Sequence, residues 1–145
     1  MIPLKLKAWH KYTRSIIDVT MIDFLLDAYR GRAGFSSGSG HLADIELLPC
    51  TGLTDSAGRD IYQHDIVYRS DIDVRATVIW LKDRAAFLFL GNDGEVGYAP
   101  SSGDWEVIGN VYENPELASP NWERIKQVYE QAKSTKGEEA HYDRH

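Results

Sequence analysis

Some residues in this 145-residue chain have types and spacings that could do chemistry. Gly34-Phe35-Ser36-Ser37-Gly38 matches the G-x-S-x-G pattern of a nucleophile elbow. That elbow needs a strand before the serine, a helix after it and a large parallel sheet beneath. Here the serine sits in Gly31–Gly40, where glycine and serine dominate, and a flexible surface loop is the reading for residues 31–40. His141 and His145 are four apart around Asp143, a spacing that could hold a metal on a helix, but they sit at the chain's end with no third ligand close in sequence. Asp55, Asp60, Asp65, Asp71 and Asp73 could pair for acid–base work or Mg²⁺, yet Asp is also a favoured turn residue. Cys50, the single cysteine, stands beside Pro49 with no evident activating partner and reads as an inert thiol. Phosphate-cradling loops, Ca²⁺ loops and C-x-x-C pairs are missing from the sequence. These readings predict no catalytic residue, no metal site and no cofactor.

Composition narrows the classes further. Hydrophobic residues make up 43% and charged residues 26%, ordinary for a globular protein. A lone cysteine cannot form an internal disulfide, which favours a reducing compartment. No apolar run reaches the roughly 20 residues of a membrane span, and Met1–Tyr12 lacks the apolar stretch of a signal peptide. The expectation is a cytoplasmic protein with no membrane partner. Net charge is −6, and residues 44–107 carry twelve acids against five bases. That balance disfavours nucleic acid, whose binding rests on clustered Lys and Arg. A basic start, with Lys5, Lys7, Lys11 and Arg14, is the exception and supplies the alternative function: a small nucleic-acid-binding barrel. The competing reading makes those lysines the solvated face of an edge strand. Trp80, Phe87, Phe89, Tyr98, Trp105 and Tyr112 could stack bases, but no basic stripe accompanies them. Core packing is therefore expected, with Trp80, Phe87, Phe89 and Trp105 as core candidates.

The elements that would hold these residues are mostly strands. Leu4–Trp9 alternates apolar and charged residues. Residues 15–29 fit either a helical face (Ile22, Leu25, Leu26, Tyr29) or a strand (Ile17, Val19, Met21) that Asp23 breaks. Asp44–Leu48 reads as a strand and Thr51–Gly58 as a turn. Then come short strands at 61–62, 65–69, 74–81, 85–90, 95–98 and 105–112, with a hairpin signal at Asn92-Asp93-Gly94. In 74–81, Val74, Ala76, Val78 and Trp80 share one face. The expected fold is mainly β: a small antiparallel SH3-like barrel or twisted sheet over about 59–113, with an N-terminal strand-rich extension and a C-terminal α-helix. The expected organisation is one β domain over 1–117, then a helix and frayed tail over 118–145.

Ser119-Pro120 suits a helix start, and Trp122, Ile125, Tyr129 and Ala132 repeat at helical spacing, with Val128 beside them. So short a helix needs its apolar face covered. Its own sheet or a neighbouring chain could do that. The stiff connection through Asn114-Pro115 and Ser119-Pro120 favours a neighbour, hence a homo-oligomer with those four residues at its interface.

Two long strings carry a family resemblance. One is Thr51-Gly52-Leu53-Thr54-Asp55, Gly58-Arg59-Asp60-Ile61-Tyr62 and Asp65-Ile66-Val67. The other is Val107-Ile108-Gly109-Asn110-Val111-Tyr112-Glu113-Asn114-Pro115-Glu116-Leu117. With Lys7-Ala8-Trp9 and Ile22-Asp23-Phe24, the chain from Leu4 to Leu117 resembles the YopX family of phage and prophage proteins. One departure stands out: the family's Gly before the Asp-Ile-Val strand is His64 here. If that position needs φ > 0, histidine holds it at a cost. The resemblance implies a mainly antiparallel β fold, a phage or mobile-element origin and self-association, and it brings no enzyme activity. The expected function is that of a phage or prophage accessory protein acting by protein–protein contact, with a host or phage protein as partner.

Overall fold

The structure, a computed structural model, describes residues 5–82, 84–92, 96–120, 122–124 and 127. Described residues form eleven strands, and the chain divides into two compact units, Met1–Gly52 and Leu53–His145.

The first unit is an antiparallel sheet. Its strands are β1 (Leu6–His10), β2 (Ser15–Asp23), β3 (Ala28–Ala33), β4 (Ser36–His41) and β5 (Ile45–Thr54), in spatial order β4-β3-β2-β1-β5. Strands β1 to β4 form a meander, and β5 returns to pair with β1. Inward positions alternate along the strands. Ala8, Ile17, Val19, Tyr29 and Ile45 form one small core, with Leu6, Ile22, Leu42 and Leu47 packed on it. Residues 15–29 thus take the strand alternative, broken at Asp23, and not the helix. The Asp23 carboxylate accepts the Leu25 and Leu26 N–H groups at 3.0 and 3.1 Å and closes a tight turn.

Residues 31–40 correct the expected flexible loop. They form the β3–β4 hairpin, with six paired positions from Ala28↔His41 to Ala33↔Ser36 and a turn at Gly34, φ 66°. Glycine here serves close approach. A Cβ on Gly40 would press on the Tyr29 ring at 3.1 Å, so the bare backbone of β4 lets the buried tyrosine lie flat.

The turn read at Thr51–Gly58 is shorter than expected. β5 runs on to Thr54, and its last two residues belong to the second unit together with β6 (Asp60–Tyr62). The second unit also holds β7 (Asp65–Arg69), β8 (Val74–Leu81), β9 (Ala86–Gly91), β10 (Gly97–Tyr98) and β11 (Glu106–Asn110), in the order β10-β9-β8-β7-β11. The pairings among these strands are antiparallel. The strands predicted at 61–62, 65–69 and 74–81 coincide with β6, β7 and β8. The barrel does not: both sheets are open, and β10 and β11 are the edges of the second one.

β8 is buried on both faces. Ala76 and Val78 join Ile61, Val67, Phe89 and Trp105 in one core, while Ile79 and Leu81 join Leu90 in another. Phe89 and Trp105 are fully buried, and Phe87 packs on the first core. Trp80 packs at the edge of this core and is not one of its fully buried members. It lies at the end of the core face, half-buried, edge-on to Phe87 at 4.9 Å.

Candidate functional site

The two motif strings close turns in the second unit. Asp55, whose side chain is wholly shielded, has its carboxylate at the hub of the 55–59 turn. One oxygen accepts the Ala57 and Arg59 N–H groups at 3.0 and 2.8 Å. The other accepts the Arg59 Nε–H at 3.0 Å and the Val107 N–H at 3.1 Å. Burial alone would push this carboxyl up. The backbone donors of Val107, Arg59 and Ala57, with the Arg59 charge, overcome it and hold the carboxyl below its ordinary value. The second string works the same way. Asn110 Oδ1 accepts the Tyr112 and Glu113 N–H groups, and a Cβ on Gly109 would collide with the Asn114 side chain. A bulge at Ile108, between Val107↔Val67 and Gly109↔Ile66, leaves that residue out of register, and the pairing resumes to Asn110↔Asp65.

His64 has φ 69°, in the left-handed region where a side chain costs energy. Its backbone bridges β8 and the turn after β11, donating to the Val78 carbonyl at 2.8 Å and accepting the Val111 N–H at 3.0 Å. Its buried ring meets the Tyr112 hydroxyl at 2.7 Å and stands 4.9 Å from the Trp122 ring. The imidazole therefore fills space beneath the C-terminal segment that a glycine would leave empty.

That segment returns to its own sheet. Ser119 is buried, its N–H donating to Thr77 Oγ1 at 2.9 Å and its hydroxyl to the Gly91 carbonyl at 2.6 Å. The hydroxyl expected to cap a helix is thus spent on the sheet. Trp122, the first of the four interface candidates, packs against Ile79, Leu81 and Leu90. Residues 122–124 are helical; Ile125, Tyr129 and Ala132 lie outside the described residues, as do His141, Asp143 and His145.

The catalytic candidates are dispersed. Ser36 opens β4 straight after a tight turn, paired opposite Ala33, which is not the strand–serine–helix geometry of an elbow. Cys50 Sγ accepts the Gly52 N–H at 3.4 Å. Asp65 accepts the Tyr62 N–H at 2.8 Å, Asp71 pairs with Arg69 at 2.8 Å, and Asp73 accepts the Tyr68 hydroxyl at 2.7 Å. Among the described residues, no group of three His, Cys, Asp or Glu side chains is arranged to hold a metal ion. Nor do the basic N-terminal residues make one row. Lys7 is half-buried in β1, Lys11 donates to the Ala43 carbonyl at 3.1 Å, and Arg14 stands in the β1–β2 turn.

The surface the sequence did not single out is the β2–β3 turn. Phe24, Leu25 and Leu26 are 75, 97 and 72% exposed at its tip. Three adjacent large apolar side chains held out by a fixed turn cost solvation and belong to none of the three cores. Their one sequence signal is that Asp23 interrupts the strand pattern, which leaves the next three residues outside the period of two.

The comparisons fit this architecture. The chain is similar to the crystal structure of protein EF1440 from Enterococcus faecalis, with a TM-score of 0.55 and 21% identity, covering 81% of this chain and 98% of that one. That likeness concerns the fold. No curated protein matches the chain. The model of the family described as YopX protein matches residues 5–119, which contain both motif strings and every described strand. The chain belongs to the YopX family.

Proposed function

We propose that this chain is a non-enzymatic phage or prophage accessory protein of the bacterial cytoplasm, and that it works by binding another protein through the Phe24-Leu25-Leu26 turn. The carrying observation is the exposure of those three side chains on a turn that Asp23 has already ordered. A preformed apolar knob binds without the cost of ordering a loop. Asp23 and Asp27 flank the knob, so its complement is an apolar socket rimmed by Lys or Arg on a host or phage protein. The same acids argue against an anionic lipid surface.

The test compares the wild type with F24S/L25S/L26S. Affinity capture from infected cells should yield a partner with the wild type and lose it with the variant, while both keep the same circular dichroism. An unchanged set of captured proteins sinks the reading. A second copy of this chain is the competing occupant, and light scattering separates it: a wild-type oligomer that the substitution dissociates assigns the turn to self-association.

A further inference from the structure

Formal charge divides unevenly between the units. Residues 1–52 hold six bases and five acids, and residues 53–145 hold ten and seventeen, so +1 and −7 make up the chain's −6. In the second unit Arg59 and Arg69 are paired with carboxylates. In the first, Arg30 and Arg32 are exposed on β3, and their side chains make no hydrogen bond or ion pair among the described residues.

These two arginines share one face. Tyr29 and Gly31 between them are buried, so both guanidinium stems point outward, about 7 Å apart along the strand. Across the hairpin, Ser39 is the register partner of Arg30 and Ser37 of Arg32. On the other side, Thr20 stands at the β2 bulge. Thr20, Arg30, Arg32, Ser37 and Ser39 line an open concavity of about 370 Å³ with Gly31 and Gly38. Its lining is donors and bare backbone, with no large apolar side chain. Asp18, across from Arg32, is the one carboxylate in register with the pair and forms no ion pair with it.

We propose that this face binds the phosphate backbone of a single-stranded nucleic acid. Guanidinium forks match phosphate oxygens in geometry and charge, and the serine and threonine hydroxyls add donors beside them. Two arginines at strand spacing can meet successive phosphates of one extended strand. β4 is a sheet edge built of Ser and Gly, so a chain can lie along it without meeting bulk. Phe35 distinguishes a nucleic acid from a lone phosphate or a phosphopeptide. It sits on the turn of this same hairpin, three residues after Arg32, with its ring fully exposed, and a base can stack on it. The inference uses residues separate from the protein-binding turn and stands apart from it.

The test is fluorescence anisotropy of the full chain with labelled oligothymidylate and oligouridylate, at salt from about 25 to about 200 mM. The wild type should bind and weaken as salt rises. R30Q/R32Q should lose about tenfold in affinity and flatten the log–log salt slope by about 1.4, the value for two lost single-strand contacts. F35S should lose about tenfold with the slope unchanged, as for one lost stack. Ser39→Glu, a change on an exposed edge, should weaken binding by setting a carboxylate against Arg30. The proposal is overturned if the wild type fails to bind at the lowest salt, or if R30Q/R32Q and Ser39→Glu both bind like the wild type. It is also overturned if a phosphoserine peptide or inorganic phosphate binds this face while the oligonucleotides do not.

Discussion

The two units spend their side chains differently. In the second, the motif aspartate, asparagines and glycine close turns, and the central strand β8 is covered on both faces. In the first, the sheet encloses one small core and leaves large apolar groups in solvent. Of the eight large hydrophobic side chains exposed among the described residues, Tyr12, Met21, Phe24, Leu25, Leu26 and Phe35 lie there, against Ile72 and Val96 in the second. The lesson is that most of the residues that identify the family, from Thr51 on, hold the fold together. The groups free to meet a partner sit where the motif is thinnest.

Substitutions can break or sharpen this contrast. The largest effect should come from Trp105→Ala. Trp105 is fully buried, with Phe89 at 5.3 Å and Tyr98 at 5.6 Å edge-on to it, and its loss should cost about 3–5 kcal/mol in urea unfolding. A cost under about 1 kcal/mol would mean this core is not the one holding the second unit.

Asp55→Asn comes next, at about 1–3 kcal/mol, because an amide NH₂ would face N–H donors that now find a carboxylate. It also has a pH signature. The folded-state pKa of Asp55 is depressed, so its stabilisation is full above the unfolded-state value. It is lost as pH falls through the lower, folded-state value, below the ordinary 3.8. The wild type should therefore lose its advantage over D55N in acid. A stability gap between the two that stays constant from neutral pH to strong acid would refute the ionised hub.

Ser119→Ala should cost about 1–2 kcal/mol, since the buried Gly91 carbonyl loses its donor. Equal thermal midpoints for the two proteins would show the C-terminal segment is not anchored there. Trp80→Ala should cost clearly less than Trp105→Ala, about 1–2 kcal/mol, because the ring is half-buried against Phe87. Equal costs would erase the distinction between core and rim. Smallest of all is F24S/L25S/L26S, within about 0.5 kcal/mol of the wild type by denaturant unfolding. A large loss would turn the exposed turn into a hidden part of the core.

What the sequence determined by itself was local. Short β-branched and aromatic runs between turn residues located β7 and β8, and two ordered strings located the family. Aspartates at turns behaved as short-range chemistry requires, since Asp23 and Asp55 bond backbone N–H groups within four residues. Tertiary structure decided the rest, because each remaining question turns on a distant partner. Ser36–His41 is glycine and serine up to its last residue with no apolar period, and only pairing with β3 over the Tyr29 ring makes it a strand. Alternation along β8 marks two faces but cannot say that both are covered; Trp122, more than forty residues on, covers the second. Phe24-Leu25-Leu26 reads as apolar in any window. Whether it is core or knob depends on where the meander puts the turn, and hydrophobicity alone carries no coordinates.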